Sequence, residues 1–335
     1  MPQLIGKEVG PIGFGLMGLT RPNNGLTDDD AIAVMRAALE AGANFWDGGE
    51  FYGPETANSL VLLEKYFAKY PEDADRVVLS IKGGMDKPNT YKPDSSRANI
   101  RRSVLDCHAQ LQGRKVIDIF ELGRHDRVTP WPTVMAAFQE LIQEGAIKHI
   151  SLSEVTAPTI PVTVEAAKAA GVPPIAFAEE ELSFLAPDIL NDGVAAACAK
   201  HDIPIVAYSP VGRGLLTGKV RSADDMPRML NMFPRFSEEN LPHNLQLVDQ
   251  LAAYATEKKA CTLPQLAINW ARCQSLRPGM PKTIIPIPGG TTVEKVLENL
   301  KVIDLTVEDL DALEAICSKF EVKGARYPEG LPGKS

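Results

Sequence analysis

The chain is short of the residues that hold metals and staples. Its five cysteines and five histidines are scattered over 335 residues. Cys107, Cys198, Cys261, Cys273 and Cys317 form no C-x-x-C pair. That excludes a disulfide framework and a zinc ribbon, and it suits buried thiols in a reducing compartment. No metal site is expected. Positive charge is also scarce: 35 Lys and Arg stand against 43 Asp and Glu, for a net charge of -8. Such a balance argues against nucleic acid or an anionic membrane as the main partner, while leaving room for a small basic pocket. There is no charged-then-apolar leader and no apolar run long enough to span a bilayer, so a cytoplasmic protein is expected. Aromatics make up 6% of the chain, too few for a bare count to choose a ligand.

What is present is an alternation. Short apolar runs at 11–14, 43–47, 77–82, 116–122, 147–151, 175–179, 203–208 and 283–286 read as strands. Helical stretches read at 27–41, 56–69, 95–111, 131–144, 157–170, 188–200, 245–258 and 263–275. Thr27 is a candidate N-cap, with Asp28, Asp29 and Asp30 in the first turn, and Ala41-Gly42 is a stop signal. Eight strand–helix alternations predict parallel pairing and an α/β fold, a (β/α)8 TIM barrel. No composition break divides 1–335, so one barrel domain is expected. It carries a long loop, 219–244, and an irregular tail, 321–335. Loops of that length are usually functional or disordered.

Gly13-Phe14-Gly15-Leu16-Met17-Gly18 spells G-x-G-x-x-G, but a loop follows it rather than a helix. A dinucleotide fingerprint needs that helix. A strand end whose small residues let a ligand approach the backbone is the better reading.

In a barrel, chemistry sits where strands end. Asp47 ends the second strand, Tyr52 lies in its loop, and Lys82 ends the third. An acid, a phenol and an amine brought together can give a proton to an oxygen. A nearby ammonium lowers a phenol from its usual pKa of about 10. The sixth strand runs into Glu179-Glu180-Glu181. The eighth runs into Gly289-Gly290-Thr291-Thr292-Val293-Glu294-Lys295. Thr291 and Glu294 have capping-box spacing, and Lys295 and Asn299 share a helix face. Loops after the seventh and eighth strands are where barrels hold phosphate. A phosphorylated nicotinamide cofactor beside a proton donor makes hydride transfer the simplest reaction that uses both.

These blocks resemble the aldo-keto reductases, NADPH-dependent (β/α)8 barrels. The resemblance rests on Trp46-Asp47-Gly48-Gly49-Glu50-Phe51-Tyr52-Gly53, on Lys82, on Ser209-Pro210-Val211-Gly212-Arg213-Gly214-Leu215-Leu216-Thr217-Gly218, and on 285–299. Within the family the chain is most similar to the fungal pyridoxal reductases, through 9–20, 49–53, 82–84 and 152–155. The resemblance implies reduction of an aldehyde such as pyridoxal, with Tyr52, Lys82 and Asp47 catalytic. It implies that NADPH is held by Ser153, Glu179, Ser209, Pro210, Val211, Arg213, Gly289, Gly290, Thr291, Lys295, Glu298 and Asn299. Trp46, Phe51, Arg124 and His125 are the candidate substrate contacts.

The chain departs from the family pattern in several places. Gly123 stands where the family's fourth catalytic residue, a histidine, is expected, with Arg124 and His125 just after it. Glu154 replaces an asparagine that holds the nicotinamide amide, and Glu179 is a candidate for that role. Leu182 falls where a stacking aromatic is common, and Thr291 where an arginine is. Lys295 is then the main charge for a 2′-phosphate. Two other readings stay open: reduction of other aldehydes or ketones, and a non-catalytic cofactor-binding partner subunit.

Overall fold

The computed structural model describes residues 1–87, 89–225, 230, 232–328 and 334. Parts of the expected loop (226–229 and 231) and tail (329–333 and 335) therefore lie outside the described residues. Among the described residues, eight strands form one parallel sheet: β1 (Phe14–Gly15), β2 (Phe45–Gly49), β3 (Val78–Gly83), β4 (Ile117–Leu122), β5 (Ile147–Ser153), β6 (Ala178–Glu181), β7 (Ile205–Tyr208) and β8 (Ile284–Pro286). Neighbours in sequence are neighbours in the sheet. Two backbone bonds close the ring, Gly13 N–H to the Pro286 carbonyl at 2.9 Å and Gly15 N–H to that of Pro288 at 3.2 Å. The fold is a (β/α)8 barrel.

Closure explains the glycines of the G-x-G run better than ligand approach does. A Cβ on Gly15 would stand 2.9 Å from the Ile287 carbonyl oxygen, and one on Gly13 3.0 Å from the Ile287 side chain. Bare backbone lets the first and last strands meet.

The helices begin where caps are written. Thr27 Oγ1 accepts from Asp30 N–H while Asp30 accepts from Thr27 N–H, opening α1 (Asp28–Glu40) with a capping box. Ala31, Ile32, Met35, Ala38 and Leu39 turn one face of α1 onto the sheet. Asn58 caps α2 (Ser59–Lys69) and Ser96 caps α3 (Arg97–Leu111). The outer layer continues with α4 (Trp131–Gln143), α5 (Thr159–Ala170), α6 (Val194–Lys200), α7 (Leu241–Lys259), α8 (Leu263–Cys273) and α9 (Val293–Asn299). A further helix, α10 (Val307–Cys317), is capped by Thr306 and Asp309 and was not expected. Only Leu310 and Leu313 are buried in it, too weak a stripe to stand out.

The barrel interior is apolar below and ionic above, because side chains two residues apart share a face. Leu4, in an N-terminal hairpin, and Val9, just after it, pack with Phe45, Val78, Ile119, Phe177, Val206 and Ile285. Phe45 and Phe177 meet edge to face at 5.5 Å. One step up each strand, Phe45 gives way to Asp47, Ile119 to Glu121 and Phe177 to Glu179. Strand β6 starts three residues later than expected and takes in Glu180 and Glu181. Ala178 and Glu181 pair with Ile205 and Tyr208, so the acidic run is strand rather than loop.

Candidate active site

Four ionisable side chains converge above the apolar plug. Lys82 Nζ donates to Asp47 Oδ1 at 2.6 Å and to Glu179 Oε2 at 2.5 Å, and Glu121 Oε1 lies 3.4 Å away. All four residues are buried. The register makes this possible, since Lys82 pairs with Gly49 on one side and Glu121 on the other. Burial alone would lower the Lys82 ammonium, but Asp47, Glu121 and Glu179 hold it well above its ordinary range. Burial pushes the carboxyls the other way. Glu121 is raised to about 7, and Asp47 and Glu179 are raised as well, with Lys82 opposing the shift in each case. Three carboxylates cannot all stay ionised around one buried cation. Glu179 thus turns to Lys82, instead of keeping both oxygens free for an amide.

Tyr52 lies over this cage, its ring centroid 5.9 Å from Lys82 Nζ. From the sequence alone, Lys82 is expected to lower the phenol. Lys82 does pull it down, but burial is the larger effect, and Asp47, Glu179 and Glu121 add to it. The net shift is upward. Tyr52 therefore carries its proton at neutral pH, the state a donor needs.

The missing histidine has a steric reason. A Cβ on Gly123 would stand 2.9 Å from Cζ and 3.1 Å from Cε1 of Phe51. The Phe51 ring fills that space and meets Tyr52 edge to face at 5.1 Å. His125 does not replace the histidine. It stacks on Trp131 at 4.2 Å, accepts Arg127 N–H at Nδ1 and donates from Nε2 to the Thr129 carbonyl. Burial lowers it, so it is a neutral loop histidine with both nitrogens engaged. Arg124 instead turns toward the mouth, donating to the Gly123 carbonyl at 2.6 Å and to Ser153 Oγ at 3.1 Å. Its buried Nε has no hydrogen-bond partner among the described residues. Trp46 is removed from the site altogether. Asp47 faces inward, so Trp46 faces the helices, fully buried against Tyr66 at 5.0 Å, with its indole N–H on the Ala43 carbonyl.

A second polar cluster at the mouth joins Glu154 and Arg213 to tail residues that the sequence did not mark. Glu154, at φ 50°, accepts from the Tyr208 hydroxyl at 2.9 Å and from Arg326. Glu181 accepts from Arg213 at 3.0 Å and pairs with Arg326 Nε at 3.2 Å. The Tyr327 hydroxyl meets that of Tyr208 at 2.6 Å. The Arg213 guanidinium lies 4.9 Å from the rings of both Phe233 and Tyr327. The expected tail thus folds over the mouth, as far as Tyr327. Tyr208 also puts an aromatic ring at the end of β7, next to the strand end where Leu182 offers none. Arg21 is half-buried and has no ion-pair partner among the described residues. Burial and neighbouring Arg213 both lower it. Arg213 was expected at the cofactor site, but no sequence signal separated Arg21 and Arg326 from surface arginines.

The segment after β8 leaves a polar, open rim. Asn299 donates to the Gly289 carbonyl at 3.0 Å, tying α9 to the glycine turn. A Cβ on Gly290 would meet Val296 at 2.5 Å, so only glycine lets the chain fold against the helix. Thr292, not Thr291, caps α9 through Lys295 N–H, and the expected Thr291–Glu294 box does not form. Gln265 donates to the Glu298 carbonyl. Lys295 is exposed, with no ion-pair partner among the described residues. Ser209 and Arg213 take positive φ in the turn after β7, next to the buried Pro210 and the partly buried Val211. Exposed Gly289, unpaired Lys295 and half-buried Arg213 form a donor set that fits an anionic, nucleotide-like group. No group of His, Cys, Asp and Glu among the described residues could hold a metal ion.

Comparison with known proteins agrees with this geometry. The model of the aldo/keto reductase family matches residues 11–318. A probable pyridoxal reductase 2 of Schizosaccharomyces pombe is 37% identical, with 99% of this chain and 98% of that protein covered. A putative pyridoxal reductase of Saccharomyces cerevisiae is 35% identical, over 94% and 95%. The glycerol dehydrogenase structure from Gluconobacter oxydans superposes with a TM-score of 0.78 over 98% of each chain at 22% identity, a likeness of fold. The chain belongs to the aldo/keto reductase family and is a reductase of that family.

Proposed function

We propose that the protein is a cytoplasmic, NADPH-dependent reductase that converts pyridoxal to pyridoxine, the whole chain acting as one barrel domain. The observation that carries the mechanism is a protonated Tyr52 over the Lys82 ammonium at the barrel mouth. When bound, the reduced nicotinamide supplies a hydride to the carbonyl carbon. Tyr52 gives its proton to the carbonyl oxygen. Lys82 stabilises the phenolate left behind, and Asp47 aims Lys82.

Arg213 and Lys295, with Gly289, Gly290, Thr291 and Asn299, are the residues we assign to the cofactor's phosphates, and Ser153 to its amide. Unpaired Lys295 favours the 2′-phosphorylated form. The choice of pyridoxal draws on relatives carrying that name over nearly their full length. It also draws on Phe51 and Arg124, an aromatic edge and an incompletely satisfied guanidinium that suit a pyridine ring bearing a hydroxyl.

Steady-state rates with pyridoxal, other aromatic and aliphatic aldehydes, and a sugar, each with NADPH and NADH, test the proposal. Pyridoxal with NADPH should give the highest kcat/KM. A poor rank for pyridoxal would transfer the same chemistry to another carbonyl. Cofactor binding with no turnover of any carbonyl would indicate a binding subunit.

A further inference from the structure

We propose that Glu121 is the proton reservoir that recharges Lys82 after each turnover, so that protons pass from Glu121 to Lys82 to Tyr52. The inference rests on the assignment of Tyr52 as the proton donor.

Lys82 has more claimants than protons. Its ammonium has three N–H donors. Asp47 and Glu179 take two of them at 2.6 and 2.5 Å. The Tyr52 ring lies 5.9 Å from the nitrogen, and Glu121 Oε1 stands back at 3.4 Å. The two close carboxylates hold the nitrogen in place through those short bonds. Glu121 is placed differently. Ser151 donates to its Oε2 at 2.8 Å, while its buried Oε1 has no hydrogen-bond partner among the described residues. An ionised carboxylate with a buried bare oxygen is costly, and a protonated one removes that cost. Facing Glu121 are Lys82, Asp47, Glu179 and Tyr52. If Glu121 and all of these except the Tyr52 phenol were ionised, the cage would hold three negative charges against one positive. A stored proton relieves the excess. Burial raises all three carboxyls, Glu121 to about 7, and the bare Oε1 is what singles out Glu121 as the holder of the proton.

The transfers balance. Tyr52 O–H breaks as the carbonyl oxygen becomes a hydroxyl. The phenolate takes a proton from Lys82 Nζ. The neutral amine then has a lone pair, 3.4 Å from Glu121 Oε1, and takes the proton held there. Glu121, now a carboxylate, regains a proton from solvent between turnovers. Glu121 touches none of the reacting atoms and acts only through Lys82, so it is a positioning and relay residue.

Glu121→Gln keeps the shape and the Ser151 bond but cannot release a proton. Single-turnover cofactor oxidation should stay within about twofold of wild type, because the first proton is already on Tyr52, while steady-state kcat falls on the order of a hundredfold. Glu121→Asp should recover part of kcat. In cofactor-free protein below about pH 7, infrared spectra should show a protonated-carboxyl band that Glu121→Gln removes. Unchanged kcat, a parallel fall of single-turnover and steady-state rates, or an unchanged carboxyl band would each overturn the relay. Should Glu121→Gln fail to fold, Ser151→Ala serves instead, with the same split between first and later turnovers expected in weaker form. A wild-type protein that reduces no carbonyl would instead overturn the reading on which the relay rests.

Discussion

Adding one methyl group at Gly123 tests why this barrel lacks the family's histidine. In Gly123→Ala the new Cβ would stand 2.9 and 3.1 Å from two atoms of the Phe51 ring, well inside contact distance. Gly123 does not adopt positive φ, so alanine costs nothing in the backbone and the whole effect is steric. Overpacking of this kind costs about 1–3 kcal/mol. Phe51 is only half-buried and can give way, which points to the low end, about 1 kcal/mol. Its ring cannot move alone, because it lies edge to face with Tyr52 at 5.1 Å. Activity should therefore fall more than stability, with kcat/KM dropping about tenfold. The assay is a double-mutant cycle with Phe51→Ala, read by urea denaturation and steady-state kinetics. With the ring removed, Gly123→Ala should cost almost nothing, giving a coupling of about 1 kcal/mol. Strict additivity would refute the claim that Phe51 occupies the histidine's space.

Two further outcomes follow from the same structure. Glu180 is fully buried, accepts Val155 N–H at 2.8 Å through one oxygen, has no hydrogen bond on the other among the described residues, where Lys334 Nζ stands 3.7 Å away, and is pushed by burial up to about 8. A carboxyl raised in the folded state makes stability fall as pH climbs from its unfolded value of about 4.3 to its folded one. Over about pH 5 to 8 this one group should cost wild type up to about 4 kcal/mol, and Glu180→Gln should flatten the slope by that amount. An unchanged slope would place the titration elsewhere. Lys295→Ala should raise KM for NADPH about tenfold and leave KM for NADH within about twofold, because an exposed, unpaired lysine can add only a charge contact. Equal effects on both would remove Lys295 from the 2′-phosphate.

Much of this molecule was legible because barrels write their order locally. Strand alternation put Asp47 and Lys82 on inward positions, and the same rule, applied strictly, would have sent Trp46 outward. Thr27 with Asp30 announced a helix in four residues. The parts that stayed hidden depend on distant pairing. Lys82 and Glu179 are 97 residues apart, and Glu154 and Arg326 are 172 apart. No short pattern marks such partners. Glu179, Glu180 and Glu181 look alike in the chain, yet alternation sends Glu180 to the Val155 amide and the other two to Lys82 and Arg213. Local spacing also misled at α9, where Thr291 and Thr292 both precede the helix and only the backbone decides which one caps it. The rise of the Tyr52 pKa was hidden for a related reason, since it needs the burial and the two extra carboxylates that only the closed barrel brings.

The central claim is that Tyr52 donates the proton. Tyr52→Phe removes one oxygen and leaves the ring against Phe51 and the Lys82 cage intact. Measured with pyridoxal and NADPH, kcat should fall by a factor on the order of a thousand, while cofactor affinity, followed by fluorescence titration, stays within about twofold. Turnover that survives the change at near wild-type rate would contradict the account.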